Sequence, residues 1–193
     1  MSTQVTKEAF FDSLSLAHKL DNFLDGFRLE EIHLFSYFSA FLYCYSGNSI
    51  STWQHRYTVE NGYPFSTSIS EAIMRHIQNG LFENKGEYYT ITGRGTDEFN
   101  KFKELPTLSM REEILNAACT TTILIPYSQT VRALLNEPDL KKQSVLKTEW
   151  LNPTSFYSQF KEISEAIGIK NHDMIIPAVA WINYLTEQPK IEN

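Results

Sequence analysis

Few residues in this sequence of 193 have the types and spacing that catalysis or metal binding requires. His172 and Asp173 are neighbours without a third partner, and a loop histidine followed by a helix cap explains them. The other histidines lack the ligand spacing of a metal site. The glycine-rich run TGRGT at residues 92–96 lacks the lysine of a phosphate-binding loop, and a tight strand-to-helix corner explains it better. We therefore expect no enzyme activity, no cofactor and no metal.

Composition and charge narrow the remaining classes of function. Lys and Arg number 17 against 23 Asp and Glu, so the net charge of -6 disfavours nonspecific capture of nucleic acid, and any contact with DNA has to be local. Cys44 and Cys119 are too few for a disulfide framework or a four-cysteine zinc site, and we expect both to be core thiols. Neither a signal peptide nor an apolar run of membrane-helix length is visible, so the sequence predicts a soluble, cytoplasmic protein.

The elements with the clearest local signals lie in the centre of the chain. The spacing of a capping box from Ser68 to Glu71 predicts a helix start, and Asn79-Gly80 predicts its end. One stripe of this helix is apolar, formed by Ile69, Ala72, Ile73 and Ile77. Two short strands across a turn at Lys85-Gly86 follow, and a further helix begins near Thr92 to Gly95. The central segment is thus predicted to be a helix, a β-hairpin and a helix.

Earlier segments are predicted to be helical. Residues 7–25 suit a helix that docks by one apolar side and stops at Gly26, and residues 29–45 suit a central, buried helix that is apolar nearly all round. Residues 49–61 can form a shorter helix before the turn at 62–64.

The C-terminal half is also predicted to be mainly helical. A capping-box spacing from Ser109 to Glu112 begins a helix, and residues 120–125 fit either its extension or a strand. A helix through Val131, Leu134 and Leu135 stops before Pro138, and a polar connector holds Lys141, Lys142 and Lys147. Asn152-Pro153 suits a helix start with an apolar face of Phe156, Phe160, Ile163 and Ile167. The last helix, about 173–186, is apolar nearly throughout and must be buried, either in this chain or against a partner.

The segment from Leu29 to Leu105 resembles the winged helix-turn-helix of small bacterial regulators of the PadR-like and MarR-like families. The matching features are Gly80-Leu81-Phe82, the paired tyrosines at 88–89 and the Thr-Gly-Arg-Gly entry at 92–95. The resemblance implies a mainly α fold, a winged helix-turn-helix with a small β-hairpin wing plus a C-terminal helical region. The expected organisation is an N-terminal helix at 1–26, the winged unit at 27–105, and a region at 106–193 for packing or oligomerisation.

This resemblance implies that the chain binds double-stranded DNA as a homodimeric transcription regulator. Dimerisation is expected because a single winged helix reads few base pairs and paired half-sites supply the rest. Five side chains turned away from the apolar stripe are the candidate readers of base edges: Thr67, Ser70, Met74, Arg75 and Gln78. Lys85 at the tip of the wing and Arg94 are candidate phosphate contacts.

A second hypothesis is that the chain is a protein-interaction adaptor in a larger complex. Residues 51–105 hold 6 basic and 7 acidic side chains, and Glu71 lies on the expected reading face, where it repels phosphate. Six aromatic residues either form a protein interface or fill the core under the wing: Trp53, Tyr57, Tyr63, Phe65, Tyr88 and Tyr89. The five candidate readers of base edges also have an alternative interpretation: they are solvated positions on a polar helix face.

Overall fold

The computed structural model of this chain describes residues 5–146, 150–154, 157–169 and 173–187. Within them the fold is mainly α, with two small antiparallel β-hairpins. The first part of the chain forms α1 (Lys7–Leu24), α2 (Leu29–Tyr45), β1 (Thr58–Glu60), β2 (Tyr63–Phe65), α3 (Thr67–Gln78), β3 (Phe82–Asn84), β4 (Tyr89–Ile91) and α4 (Gly93–Lys103). The second part forms α5 (Ser109–Leu124), α6 (Tyr127–Leu135), α7 (Pro138–Leu146), α8 (Tyr157–Ala166) and α9 (Ile175–Glu187).

The core forms where α1, α2 and α5 pack together. Helix α2 has an apolar residue on almost every side, and its residues from Ile32 to Tyr45 are all buried, which confirms the predicted central helix. Helix α1 begins where Thr6 accepts a hydrogen bond from the amide of Ala9, and it ends at Asp25 in the left-handed conformation. The N-terminal helix, the central segment and the C-terminal half therefore contribute to one continuous core.

The predicted helix over residues 49–61 is wrong. Residues Ile50–Thr52 form only one 3-10 turn, and β1 then pairs with β2 in an antiparallel hairpin. Asn61 and Gly62 form the tip of this hairpin with φ values of 50° and 82°. Asparagine followed by glycine supplies these left-handed conformations at low cost, so the local turn chemistry prevailed over the weak helical pattern.

Helix α5 includes residues 120–124, which decides between the strand and the helical extension in favour of the helix. Helix α6 ends before Pro138, as predicted. The predicted polar connector is wrong at Lys141 and Lys142, because both residues lie in α7, while Lys147 is outside the described residues. The buried carboxyl group of Glu137 explains this helix, since it accepts hydrogen bonds from the amides of Asp139 and Leu140 at the start of α7.

The last two helices cover one side of α2. The indole of Trp181 in α9 stacks on Phe38 with 5.9 Å between ring centroids, and Asp173 accepts hydrogen bonds from the first amides of α9, as a helix cap does. Helix α8 begins at Tyr157 instead of Pro153, because the side chain of Asn152 closes a local turn with Thr154. Phe156 and His172 lie outside the described residues.

Both cysteines are buried free thiols, as predicted. Burial raises the pKa of Cys44 to about 11 and that of Cys119 to about 12, so neither thiol forms a reactive thiolate near neutral pH. Within the described ranges, every helix is too short or too polar to cross a membrane.

Candidate nucleic-acid interface

Helix α3 has one face fixed in the core and one face in solvent. Ile69, Ala72 and Ile73 are buried, as the predicted apolar stripe requires. His76 joins this buried side: its Nε2 lies 2.8 Å from the hydroxyl of Ser13 and 3.0 Å from the carbonyl oxygen of Phe10. Burial lowers the pKa of His76 to about 4, so this side chain is neutral and fastens α3 to α1.

The opposite face of α3 contains the five candidate readers. Thr67, Met74, Arg75 and Gln78 lie toward solvent to differing degrees, whereas Ser70 is half-buried. Met74 leaves 50% of its surface in solvent. The side chains of Arg75 and Gln78 form no hydrogen bond or ion pair with any described residue, so both are available to a partner. Glu71 is half-buried beside them and places a carboxylate at the edge of the same face.

The start of α3 is fixed by side chains that sequence spacing did not reveal. The helix begins at Thr67, and the predicted capping box from Ser68 to Glu71 is absent. The hydroxyl of Ser68 instead lies 3.0 Å from Nδ1 of His55, and the amide of Ser66 donates to Nδ1 of His33 at 3.2 Å. Burial lowers the pKa of His33 to about 4, which keeps it neutral and able to accept this bond. Two buried histidines thus fix the start of α3.

The hairpin β3–β4 follows α3 directly, as predicted. Asn79 and Gly80 end the helix, with Gly80 at a φ of 66°. Phe27, between α1 and α2, adds a bridge on the outer edge of the hairpin: its amide and carbonyl both bond to Tyr89, at 2.9 and 2.8 Å. Asp21 of α1 accepts a bond from the amide of Ile91 at 3.1 Å. The hairpin is therefore fixed to α1 and to the α1–α2 connection.

Lys85 lies at the tip of the hairpin, as predicted, but its charge is partly neutralised. Its ammonium group is 2.7 Å from a carboxylate oxygen of Glu83. Gly86 closes the turn at a φ of 97°, and its amide donates to the side chain of Asn84. Glu87 adds a further exposed carboxylate. The tip therefore holds two acidic groups and one basic group.

Arg94 is exposed in the first turn of α4 and forms no ion pair with a described residue. Packing explains the glycine that follows it, Gly95, whereas Gly93 has nothing within 4 Å of a Cβ position. A Cβ on Gly95 would lie 2.5 Å from the carbonyl oxygen of Leu81 and 2.6 Å from a side-chain carbon of Ile91. Thr92 caps α4 by accepting a bond from the amide of Gly95 and donates to the carbonyl of Gly80. Residues 92–96 thus form the predicted strand-to-helix corner.

A buried charged network lies behind this surface, and sequence reasoning missed it. Asp12 of α1 is fully buried, with His55 Nε2 at 2.8 Å and Arg111 Nε at 2.8 Å from its two oxygens. A second N–H of Arg111 donates to the same carboxylate. The guanidinium also lies 4.0 Å from the ring centroid of Trp53. Burial alone would raise the pKa of Asp12, but the charge and hydrogen bonds of Arg111, then those of His55, hold it below its usual value.

The chain of Ser68, His55 and Asp12 has the residue types of a hydrolytic triad, but its surroundings suit a structural role. The carboxylate of Asp12 is neutralised by the bidentate contact with Arg111, whose Nη2 also lies 3.2 Å from His55 Nε2. Asp12 and His55 are both buried, and the hydroxyl of Ser68 also lies 3.1 Å from that of Ser66, so these side chains are committed to contacts within the fold. We interpret the network as a polar connection that joins α1, α5 and the start of α3.

The six aromatic residues considered for a protein interface differ clearly in how far they are buried. Trp53 and Tyr57 are fully buried and bonded to each other, with the indole N–H donating to the phenol oxygen at 3.0 Å. Tyr63, Phe65 and Tyr89 are half-buried. Tyr88 alone of the six is exposed, at 42%, with one side of its ring over Gly26, where a Cβ would lie 2.3 Å from the ring.

Among the described residues, His, Cys, Asp and Glu form no group of three that could hold a metal ion. Comparison with known proteins assigns no relative, because no family model, curated protein or solved structure matches this chain.

Proposed function

We propose that this chain is a winged-helix DNA-binding protein that regulates transcription as a homodimer. The observation that carries the proposal is the solvent face of α3. Arg75 and Gln78 are uncommitted there, while the opposite face of the helix is fastened to α1. Arginine and glutamine are suited to bidentate recognition of guanine and adenine in the major groove. An α-helix is about 10–12 Å in diameter with its side chains, so α3, with 12 residues, can enter a major groove about 12 Å wide.

The order of elements supports the winged-helix assignment. Helix α1 is followed by the bridging residue Phe27, then by α2, α3 and the hairpin β3–β4, and Phe27 pairs with Tyr89 on that hairpin. By this order α1 belongs to the winged unit, so the unit begins before residue 27, where the sequence predicted its start. One departure is that residues 46–66, with the hairpin β1–β2, separate α2 from α3, so α3 rests on α1 instead of following a short turn.

The homodimer is supported by the outer side of α9. Trp181 and Ile182 of this helix are buried in the core, while Ile176 and Tyr184 leave 50% and 40% of their surfaces in solvent. No charged residue lies between Ile175 and Thr186, so two copies can bring this side together without like-charge repulsion. Ile176→Lys should give a monomer by light scattering, while Ser158→Lys, on the exposed part of α8, should not.

The function is tested by comparing how tightly the chain binds two DNA duplexes, one from the native region upstream of its own gene and one of random sequence. Replacing both Arg75 and Gln78 by alanine should abolish the preference for the native duplex, because each bidentate contact discriminates by about 1–3 kcal/mol. Glu83→Gln should strengthen binding to both duplexes by removing a carboxylate and freeing Lys85. Arg132→Ala, which removes an exposed cation on α6, is the matched control and should leave binding unchanged.

An adaptor role without DNA binding is the second candidate. It is favoured by two exposed side chains, Tyr88 on the hairpin with the acidic tip and Met74 on α3. Tyrosine and methionine are enriched at protein interfaces. Under this hypothesis Tyr88→Ala stays folded and loses a co-purifying partner, Tyr88→Phe retains it, and Glu83→Gln does not create duplex binding.

A further inference from the structure

A cavity of about 530 Å³ lies between the segment that follows α2 and the segment at residues 150–153. Its floor is fixed by backbone pairing, because the amide of Leu151 donates to the carbonyl of Tyr57 at 2.8 Å. Tyr57 is itself locked, since its hydroxyl binds Ser36 at 2.8 Å and accepts from the indole of Trp53. The volume is in the range of sites for small molecules.

The described lining of this cavity is basic, in contrast to the whole chain. The protein carries a net charge of -6, yet the described residues that line the cavity include Arg56 and no carboxylate. Arg56 is exposed and forms no ion pair or hydrogen bond with a described residue. A guanidinium in this position attracts an anion.

An exposed aromatic ring lies next to that cation. Trp150 leaves 58% of its surface in solvent, and the guanidinium of Arg56 is 5.8 Å from the centroid of its ring. The other tryptophans described, Trp53 and Trp181, are fully buried. An exposed indole beside a cation offers a planar surface on which a ring can stack.

Gln54 supplies a third feature. This residue lines the cavity with a φ of 74°, a left-handed conformation that a side chain other than that of glycine disfavours by roughly 1–2 kcal/mol. Its amide is exposed and has no hydrogen-bond partner among the described residues. Strained residues cluster at ligand-binding positions, where the surroundings hold them in place.

We propose that this cavity binds a small anion that carries an aromatic ring. The ring stacks on Trp150, the anionic group pairs with Arg56, and the amide of Gln54 donates a further hydrogen bond. An aromatic carboxylate and a nucleoside monophosphate share this chemistry. The proposal goes beyond the function of α3 and stands independently of DNA binding.

The test is calorimetric titration of the whole chain with four probes. Benzoate and adenosine monophosphate carry both features, adenosine carries only the ring, and inorganic phosphate carries only the charge. Saturable binding of benzoate or of the nucleotide, with weaker binding of the two incomplete probes, supports the proposal and identifies which source of the anion the site accepts. Quenching of tryptophan fluorescence by the bound probe should be lost in Trp150→Phe, because the other two indoles are buried.

Two variants locate the site. Arg56→Gln and Trp150→Ala should each weaken binding about tenfold, through loss of a charged hydrogen bond and of stacking. Arg132→Gln, remote in sequence from the cavity and exposed, should bind as the unaltered chain does. Failure of both complete probes to bind at millimolar concentration would overturn the proposal. Equal binding of phosphate alone, or unchanged binding by Arg56→Gln, would overturn it as well.

Discussion

Replacing Arg111 by methionine should be among the most destabilising single substitutions in this chain. The change removes two hydrogen bonds to the carboxylate of Asp12, one to the carbonyl of Trp53 at 3.1 Å, and the contact with the indole of Trp53. Asp12 is fully buried and, among the residues that the structure describes, would retain only His55 as a partner. Breaking one side of a buried ion pair costs about 3–5 kcal/mol, a large part of the roughly 5–15 kcal/mol that stabilises a domain.

The expected loss of stability comes from the buried carboxylate of Asp12, which Arg111→Met leaves without its main partner. Removing Asp12 as well is therefore a check. Replacing both Asp12 by leucine and Arg111 by methionine removes the uncompensated charge and should recover most of the loss, to within about 2 kcal/mol of the unaltered chain. Lys101→Met breaks an exposed pair with Glu98 and should change stability by no more than about 0.5 kcal/mol.

Urea unfolding, followed by circular dichroism and by tryptophan fluorescence, measures these differences as free energies of unfolding. A loss below about 1 kcal/mol for Arg111→Met would refute the assignment of the network as a principal connection between α1 and α5. A double variant as unstable as the sum of the two single variants would refute the coupling between Asp12 and Arg111.

Three further predictions concern buried groups and close packing. Because the folded state holds the pKa of His76 at about 4 against an ordinary value of 6.5, stability due to its neutral form is complete above about pH 6.5 and declines as pH falls to about 4. The gap in free energy of unfolding between the unaltered chain and His76→Gln should narrow by roughly 3 kcal/mol over that interval, and a constant gap would contradict it. Burial raises the pKa of Glu137 to about 8, so its contribution to stability is complete below about pH 4.5 and is lost as pH rises through 8. Glu137→Gln should therefore compare more favourably with the unaltered chain at pH 8 than at pH 5, and the opposite trend in urea unfolding would show that Glu137 is ionised when folded. Gly95→Ala should lower the free energy of unfolding by about 1–3 kcal/mol, because the added Cβ would overlap Leu81 and Ile91. Gly93→Ala should not lower it, since nothing lies within 4 Å of a Cβ at that position. Equal effects of the two substitutions in thermal unfolding would refute the steric account.

Sequence reasoning succeeded where the signal is local. The end of α3 at Asn79-Gly80 depends on residues that are adjacent in the chain, and the structure has this feature. The turn of the next hairpin is also local, but it spans residues 85–88 and β4 begins at Tyr89 instead of Glu87. The hairpin β1–β2 has an equally local signal at Asn61-Gly62, which the helical interpretation of residues 49–61 overlooked.

Features that depend on distant partners could not be predicted. Ser68 does not cap α3 because His55 binds its hydroxyl, and His55 is in turn held by Asp12, 43 residues away in the chain. Only the assembled core brings Ser68, His55 and Asp12 together. The start of α7, by contrast, has a local signal that the polar-connector interpretation overlooked, since Glu137 accepts hydrogen bonds from the amides of Asp139 and Leu140.

The same distinction applies to the candidate interface. The spacing of Ile69 and Ile73 was enough to predict that Arg75 and Gln78 face away from the core, and neither is buried. It did not show that Glu83 pairs with Lys85, since a strand end and a turn bring those two side chains together only in the folded hairpin. That pair reduces the basic charge available for DNA.

The central claim is that α3 and its hairpin bind duplex DNA, and a salt series of fluorescence anisotropy measurements with parallel determination of mass tests it most directly. The proposal predicts that a dimer binds duplex DNA and that log affinity falls linearly with log salt concentration, with a slope about one unit smaller in magnitude for each phosphate-contacting cation removed. Arg94→Ala should show this smaller slope. No binding at low salt, or a slope unchanged by Arg94→Ala, would contradict the claim.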